Sequence, residues 1–340
     1  MIFHSKAPLR IGLAGGGTDL SPYCDIYGGA VLNAAISLSA YASLELIPEN
    51  RIILEATDRN EKEEADLADQ LPLTGSLDLL KGVYNRIMKD HQLPLQGFRL
   101  SCSVDAPAGS GLGTSSTLTV AVLGAFIEML GLKLSNYETA RYAYDIERND
   151  LKFPGGRQDQ YAAVFGGMNF IEFNKDGNVQ VYPLQLDADV TKEMESKLLL
   201  YFTSVPRNSE VIINEQVRNV FARDESSVQA MHHLREQAQK MRDTLENGKL
   251  DDIGPLLDYG FSQKKKMAND ISNELIETIY DAAKKAGASG GKISGAGGGG
   301  FMIFYCPGDT REAVTAALSS FGGKVVPWAF SENGLKTWKP

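Results

Sequence analysis

Four clusters of glycine stand out in the sequence: Gly15-Gly16-Gly17, GSGLG from Gly109 to Gly113, Gly155-Gly156, and GGKISGAGGGG from Gly290 to Gly300. Clustered glycine with no period either brings backbone close to a ligand or makes tight turns. The run at 109–113 has the more telling context. The β-like segment FRLSCSV leads into it, and TSSTLTVAVLGAFIEML comes after it as a helix with only the tolerated Gly124 before Gly131. A helix start carries unpaired N–H groups with partial positive charge, and glycine lets phosphate oxygens reach them. The alternative is a plain helix N-terminus dressed with the small hydroxyl residues Thr114, Ser115, Ser116 and Thr117.

Other chemistries are excluded by spacing. No GxxxxGK[ST] occurs, so no P-loop lysine reaches a terminal phosphate. Gly295, Gly297 and Gly300 satisfy GxGxxG, but the β-like FMIFYC comes next, and a dinucleotide fingerprint needs a helix there. His4, His91, His232 and His233 match no metal-ligand spacing, which argues against zinc hydrolysis and Ser-His-Asp chemistry. Cys24, Cys102 and Cys306 are odd in number and far apart, so neither a disulfide framework nor a thiolate metal site is expected. A reducing cytoplasm fits them.

The net charge is −9 with both signs mixed along 340 residues, so neither nucleic acid nor an anionic membrane surface is favoured as a partner. The N-terminal MIFHSKAPLR has no signal-like apolar region, and no apolar run is long enough to span a bilayer. A soluble, cytoplasmic protein is expected.

The elements that must position the glycine loops can be read from pattern. LRIGLA, VLNAAISLSAYASLELI and RIILEA read as strands, and Leu77 to Met88 as an amphipathic helix capped by Ser76. Ser135 and Glu138 have capping-box form and start a helix that reaches Glu147. MNFIEF and VQVYPL are strand candidates. Near residue 190 the pattern changes to a strand, KLLLYFT, and helices over 209–286. There follow a strand at KIS, the strand FMIFYC, a helix from Asp309 to Phe321 and a strand at KVVPWAF. This order predicts two α+β domains, 1–190 and 191–340, rather than one doubly wound sheet.

APLRIGLAGGGTD from Ala7 to Asp19, PAGSGLGTSS from Pro107 to Ser116 and KISGAGGGGF from Lys292 to Phe301 resemble the three signature motifs of the GHMP kinases, in that family's order and approximate spacing. They span nearly the whole chain. GGGTD with SPYCDIYGGAVLNAAI after it is most similar to the branch holding heptose kinases and L-fucose kinases. The resemblance implies a ribosomal-protein-S5-domain-2-like N-terminal domain and a ferredoxin-like C-terminal domain, with ATP and substrate between them. It implies an ATP- and Mg²⁺-dependent kinase for the anomeric hydroxyl of a sugar phosphate, D-glycero-D-manno-heptose 7-phosphate foremost. Another sugar such as L-fucose, an isoprenoid or amino-acid substrate, or a non-catalytic sugar and nucleotide sensor are the alternatives.

The same resemblance assigns roles. Pro107, Gly109, Ser110, Gly111, Leu112, Gly113, Thr114, Ser115 and Ser116 would wrap the phosphates of ATP, and Ser115 and Glu147 would ligate Mg²⁺. Asp159, in PGGRQDQ, would accept or orient the proton of the attacking hydroxyl, with Arg10 beside it. Gly17, Thr18 and Asp19 would hold sugar hydroxyls, and Gly297 and Gly298 would close over the substrate. Arg157, Arg207 and Lys266 are cations that could meet a phosphate on the substrate, or merely solvated surface charge.

Overall fold

The computed structural model describes residues 1–204 and 209–340. Two long strands, β1 (Ile2–Ala14) and β2 (Gly29–Leu46), form the spine of the first sheet and pair antiparallel. Their register shifts between Pro8 and Arg10 and again between Gly12 and Ala14. Pro8 has no N–H to give a ladder, so a central strand must bulge around it. Beyond the bulge, Arg10 N donates to Leu112 O of the GSGLG loop (3.1 Å), which ties the strand to that loop.

Among the described residues the sheet has eight strands. The C-terminal half of β2 pairs β5 (Phe98–Val104), which runs parallel to β3 (Arg51–Ala56), with β4 (Glu61–Asp66) at the edge. The N-terminal half of β2 pairs β6 (Met168–Phe173), which pairs β7 (Val179–Leu184). Four helices pack on one face: α2 (Asp78–His91), α3 (Thr114–Leu130), α4 (Asn136–Asp145) and α5 (Gln158–Phe165). Residues such as Leu80, Val83, Leu123 and Phe126 join Leu44, Leu54 and Leu100 in that core.

The second sheet holds β8 (Leu198–Phe202), β9 (Gly290–Ile293), β10 (Phe301–Tyr305) and β11 (Lys324–Val325), in the antiparallel order β11-β8-β10-β9. That order is the ferredoxin-like split arrangement, with the helices inserted between the first and second strands. Alternation along the strands serves two cores. Leu198, Leu200, Ile303 and Tyr305 face Leu9, Ile11 and Leu13 of β1, so one apolar core joins both sheets. Leu199, Tyr201, Met302 and Phe304 face the other way, onto α7 (Ser209–Phe221), α8 (Glu225–Glu246), α10 (Glu274–Lys285) and α11 (Arg311–Leu318). The remaining helix of the second half that matters to the cavity is α9 (Ile253–Lys264).

Several expectations need correction. EKEEAD, for which no strand is expected from the pattern, forms β4, an edge whose charges discourage further pairing. Ser76 does not cap α2; Glu63 of β4 accepts from the N–H of Leu77 (3.0 Å) and holds the helix start instead. KVVPWAF supplies only two strand residues, because Pro327 cannot donate to a ladder. The chain then returns to the first sheet, where Lys336–Trp338 pair with β1. A helix at Ala188–Lys197 had no strong pattern of its own. The three cysteines are buried free thiols, and among the described residues no helix is long and apolar enough to cross a membrane.

Candidate active site

One cavity of about 310 Å³ collects residues from all three glycine-rich motifs. β1 contributes Arg10 and Gly12, the turn after it Gly16, Gly17 and Asp19, the GSGLG loop its glycines, and the β9–β10 connection Gly295 and Ala296. Helices α5, α7 and α9 close the remaining sides with Gln158 and Asp159, Gln216, and Lys264.

In the GSGLG loop the residues divide by alternation. Gly109, Gly111 and Gly113 line the cavity with Thr114, Ser115 and Ser116, while Leu112 is buried in the core and Ser110 carries the loop's anchors. Ser110 O accepts from Phe301 N (2.9 Å), and Gly111 O accepts from Ser294 Oγ (2.8 Å), so the third motif clamps the loop from behind. Pro107, Ser110 and Leu112 thus do not face the cavity, contrary to expectation: the backbone can present only alternate residues to one side. Gly113 begins α3 in the left-handed region (φ 79°), and no side chain caps the helix nor does an acid sit in its first turn. The first N–H groups of this 17-residue helix therefore have no side-chain cap where the helix start opens onto the cavity.

Beside this helix start, Ser115 Oγ donates to Glu147 Oε1 (3.3 Å). Glu147 is 1% exposed, and Gln160 Nε2 donates to its other oxygen and to Ser116 Oγ. The helix carrying Glu147 is not regular: α4 ends at Asp145 and residues 146–150 form a π-helical turn, closed by Leu151 N to Ile146 O (2.9 Å). The extra residue rotates the chain beyond it by about 100° relative to α4, a device frequent at functional sites. A hydroxyl and a carboxylate suit a hard cation. Among the described residues no cluster of three or more His, Cys, Asp or Glu could hold a metal, so the other oxygens would come from water and a bound phosphate, the habit of Mg²⁺.

Arg10 and Asp159 meet as expected. Asp159 Oδ1 accepts from Arg10 Nε (2.7 Å) and lies 2.6 Å from Nη2, while Arg10 Nη1 donates to Gly111 O (2.7 Å). The guanidinium is 5% exposed, fixed on three sides, and bridges the carboxylate to the GSGLG loop. Both contacts fall on Oδ1; Oδ2 lies toward Gly113, where an added Cβ would be 3.4 Å from it.

Asp19 is held tightly. Its Oδ1 accepts from Gly17 N (3.1 Å) and Gln158 Nε2 (3.0 Å), and its Oδ2 from Gln158 N (3.1 Å). A carboxylate has about four acceptor sites, so one rather than two remains for a ligand. A Cβ at Gly156 would lie 1.8 Å from Asp19 Oδ2, which explains glycine at that position. Gly156→Ala is expected to cost about 1–3 kcal/mol by overpacking, measured as a lower Tm. Gly131→Ala, where nothing lies within 4 Å, should cost only the left-handed strain, about 1–2 kcal/mol. A smaller loss at Gly156 than at Gly131 would contradict the packing argument.

Thr18 does not reach the cavity. It is fully buried, and its hydroxyl bonds Gly15 O (2.9 Å), Ala30 O (2.8 Å) and Ala30 N (3.1 Å), so it shapes the turn. Arg157 also turns away, pairing with Asp25 (2.6 Å) over the Tyr144 ring. Lys266 lies off the cavity, with Nζ 3.3 Å from Gln263 Oε1. Gly297 and Gly298 pack on Ile271 instead of lining the cavity, and their neighbours Gly295 and Ala296 take that place. Arg207 lies outside the described residues.

The residues that sequence reasoning missed are Gln158, Gln216, Lys264 and Lys292. Lys264 is 4% exposed with Nζ donating to Gly295 O, and Lys292 is 6% exposed with Nζ donating to Gly12 O (2.8 Å). Burial, then the Lys264 ammonium and the Arg10 guanidinium, push Lys292 well below the usual lysine range. A signal existed for Lys264: it falls on the buried helical stripe with Leu257 and Phe261, where a solvated lysine does not belong.

A family described as GHMP kinases N terminal domain matches residues 78–167, and GHMP kinases C terminal matches residues 241–324. The D-glycero-alpha-D-manno-heptose 7-phosphate kinase of Campylobacter jejuni is 42% identical over 336 residues, 99% of this chain and 98% of the relative. A D-glycero-D-manno-heptose 1-phosphate kinase from Bacteroides thetaiotaomicron has a crystal structure that superposes with a TM-score of 0.85, at 41% identity over 99% of each chain. The galactokinase of Lactococcus lactis, solved with galactose, shares the fold at 19% identity and a TM-score of 0.76, over 100% of this chain and 95% of that one.

Proposed function

This chain belongs to the GHMP kinases, and from that premise we propose that it transfers the terminal phosphoryl group of ATP to the anomeric hydroxyl of D-glycero-D-manno-heptose 7-phosphate. The observation that carries the proposal is the Arg10–Asp159 pair in the same cavity as the open N-terminus of α3. Phosphoryl transfer asks little covalent chemistry of a protein; it needs phosphates held, charge neutralised and an acceptor oxygen in line.

In this reading the N–H groups at Gly113–Ser116 and the glycine backbone before them hold the phosphates of ATP. Mg²⁺, held by Ser115 and Glu147, would neutralise charge on those phosphates. Asp159 Oδ2 accepts the proton of the anomeric hydroxyl or orients it, and Arg10, paired to Oδ1, holds the carboxylate in place. Asp19 accepts from one further sugar hydroxyl, and Gln158 fixes Asp19 in place. A substrate lacking that hydroxyl leaves a buried acceptor unpaired, which is how such a site discriminates. The two halves, 1–190 and 191–340, would each give one wall of the site.

The names of the Campylobacter and Bacteroides relatives place the substrate's phosphate differently, at carbon 7 and at carbon 1. A coupled ADP-release assay with heptose 7-phosphate, heptose 1-phosphate, free heptose, L-fucose, galactose and mevalonate separates the readings. Heptose 7-phosphate is expected to give the highest kcat/KM. A ten-fold preference for heptose 1-phosphate would move the acceptor away from the anomeric carbon, and no turnover on any of them would favour a sensor.

A further inference from the structure

We propose that Gln216, Lys264 and Lys292 form the seat of the phosphate that the sugar substrate already carries; this rests on the sugar-phosphate reading above. The three come from α7, α9 and β9 and line the same cavity as Arg10 and Asp159. All are more than nine-tenths buried, at 2%, 4% and 6% exposed. Gln216 Nε2 is buried with no hydrogen-bond partner among the described residues. An orphaned buried donor costs about 1–3 kcal/mol, and one that lines a cavity is explained by a ligand acceptor.

Their placement is ordered along β1 and its turn. A Cβ added at Gly12 would lie 4.0 Å from Lys292 Nζ, one at Gly16 3.8 Å from Lys264 Nζ, and one at Gly17 3.7 Å from Gln216 Oε1. At Gly17 the nearest atom is Met267 Cε, 2.4 Å from an added Cβ, so glycine there makes room for that side chain, while at Gly12 and Gly16 nothing lies nearer than 3.8 Å. Gly12 stands two strand residues beyond Arg10, roughly 7 Å along β1, so the three groups lead away from the reacting carboxylate, on the scale of a sugar. Both lysines are aimed by backbone carbonyls, Gly295 O and Gly12 O, rather than swinging in solvent. Lys264 and Lys292 are close enough to repel, and a dianionic phosphate bound beside them would offset that repulsion. The GSGLG loop, which meets Asp159 at Gly113, leaves the nucleotide phosphates with their own cradle.

The test is a comparison of substrates in the whole enzyme. For wild type, Lys264→Met, Lys292→Met and Gln216→Leu, kcat/KM is measured with heptose 7-phosphate and with free heptose. Each variant is expected to shrink the ratio of the two ten-fold or more, with the loss in KM for the sugar phosphate and KM for ATP changed less than three-fold. Lys264→Arg, which keeps the charge, should restore most of the ratio. Equal losses on both sugars would overturn the proposal and assign these cations to the transferred phosphoryl group. Should the methionine variants fail to fold, wild type decides: inorganic phosphate must compete with heptose 7-phosphate, and non-competitive inhibition overturns the seat. Calorimetric binding of heptose 7-phosphate against free heptose reads the seat without turnover, so its failure is distinct from failure of the kinase reading.

Discussion

Asp159→Asn is expected to lower kcat by about 10²- to 10⁴-fold, the usual range for a general acid–base group, with KM for ATP nearly unchanged. Asparagine keeps the size and can still accept from Arg10 at one atom, so the Arg10 guanidinium stays near Gly111 O. What goes is the negative charge beside the attacking hydroxyl. Arg10 then faces a neutral partner while 5% exposed, which should also make the variant somewhat less stable. Steady-state ADP release checks this, and a kcat within a few-fold of wild type would mean that Asp159 does not act on the hydroxyl.

The second large effect concerns the cation. Glu147→Gln should raise the Mg²⁺ concentration for half-maximal rate by about 10- to 100-fold, the usual range when a metal's protein support is altered, and excess EDTA should abolish turnover by wild type. The reason is a matter of charge: Glu147 is the carboxylate bonded to Ser115 in the first turn of α3, and the phosphate loop holds no lysine to substitute for a metal. The substitution is isosteric, and Gln160 Nε2 can still donate to the amide oxygen, so the buried packing is preserved. Full activity in EDTA would remove the metal from the site.

Much of this was legible because it is local. FRLSCSV and TSSTLTVAVLGAFIEML became β5 and α3 with the expected bounds, and the Ser135–Glu138 capping box formed, since each rests on patterns within a few residues. The Arg10–Asp159 pair, 149 residues apart in sequence, was reachable only through the family resemblance of the motifs that carry it. Cations failed for the opposite reason. Arg157 sits next to Gln158 and Asp159 in sequence, yet α5 turns its side chain to Asp25, while Lys264 and Lys292 reach the cavity from elements that only tertiary packing brings to β1. Among three consecutive lysines, helix phase chose Lys264 over Lys266, and that phase was readable from Leu257 and Phe261. The π-helical turn at Ile146–Asp150 has no sequence signature; it is visible only as an extra residue in the hydrogen-bond ladder.

If the phosphoryl group moves from ATP to the anomeric oxygen of a sugar phosphate, ³¹P NMR of the reaction with heptose 7-phosphate, ATP and Mg²⁺ shows it most directly. ADP signals are expected together with a new phosphate ester resonance split by the sugar's anomeric proton, absent from the Asp159→Asn reaction over the same time. ADP with free inorganic phosphate and no new ester, or a second, newly formed ester coupled to a sugar proton other than the anomeric one, would contradict that transfer.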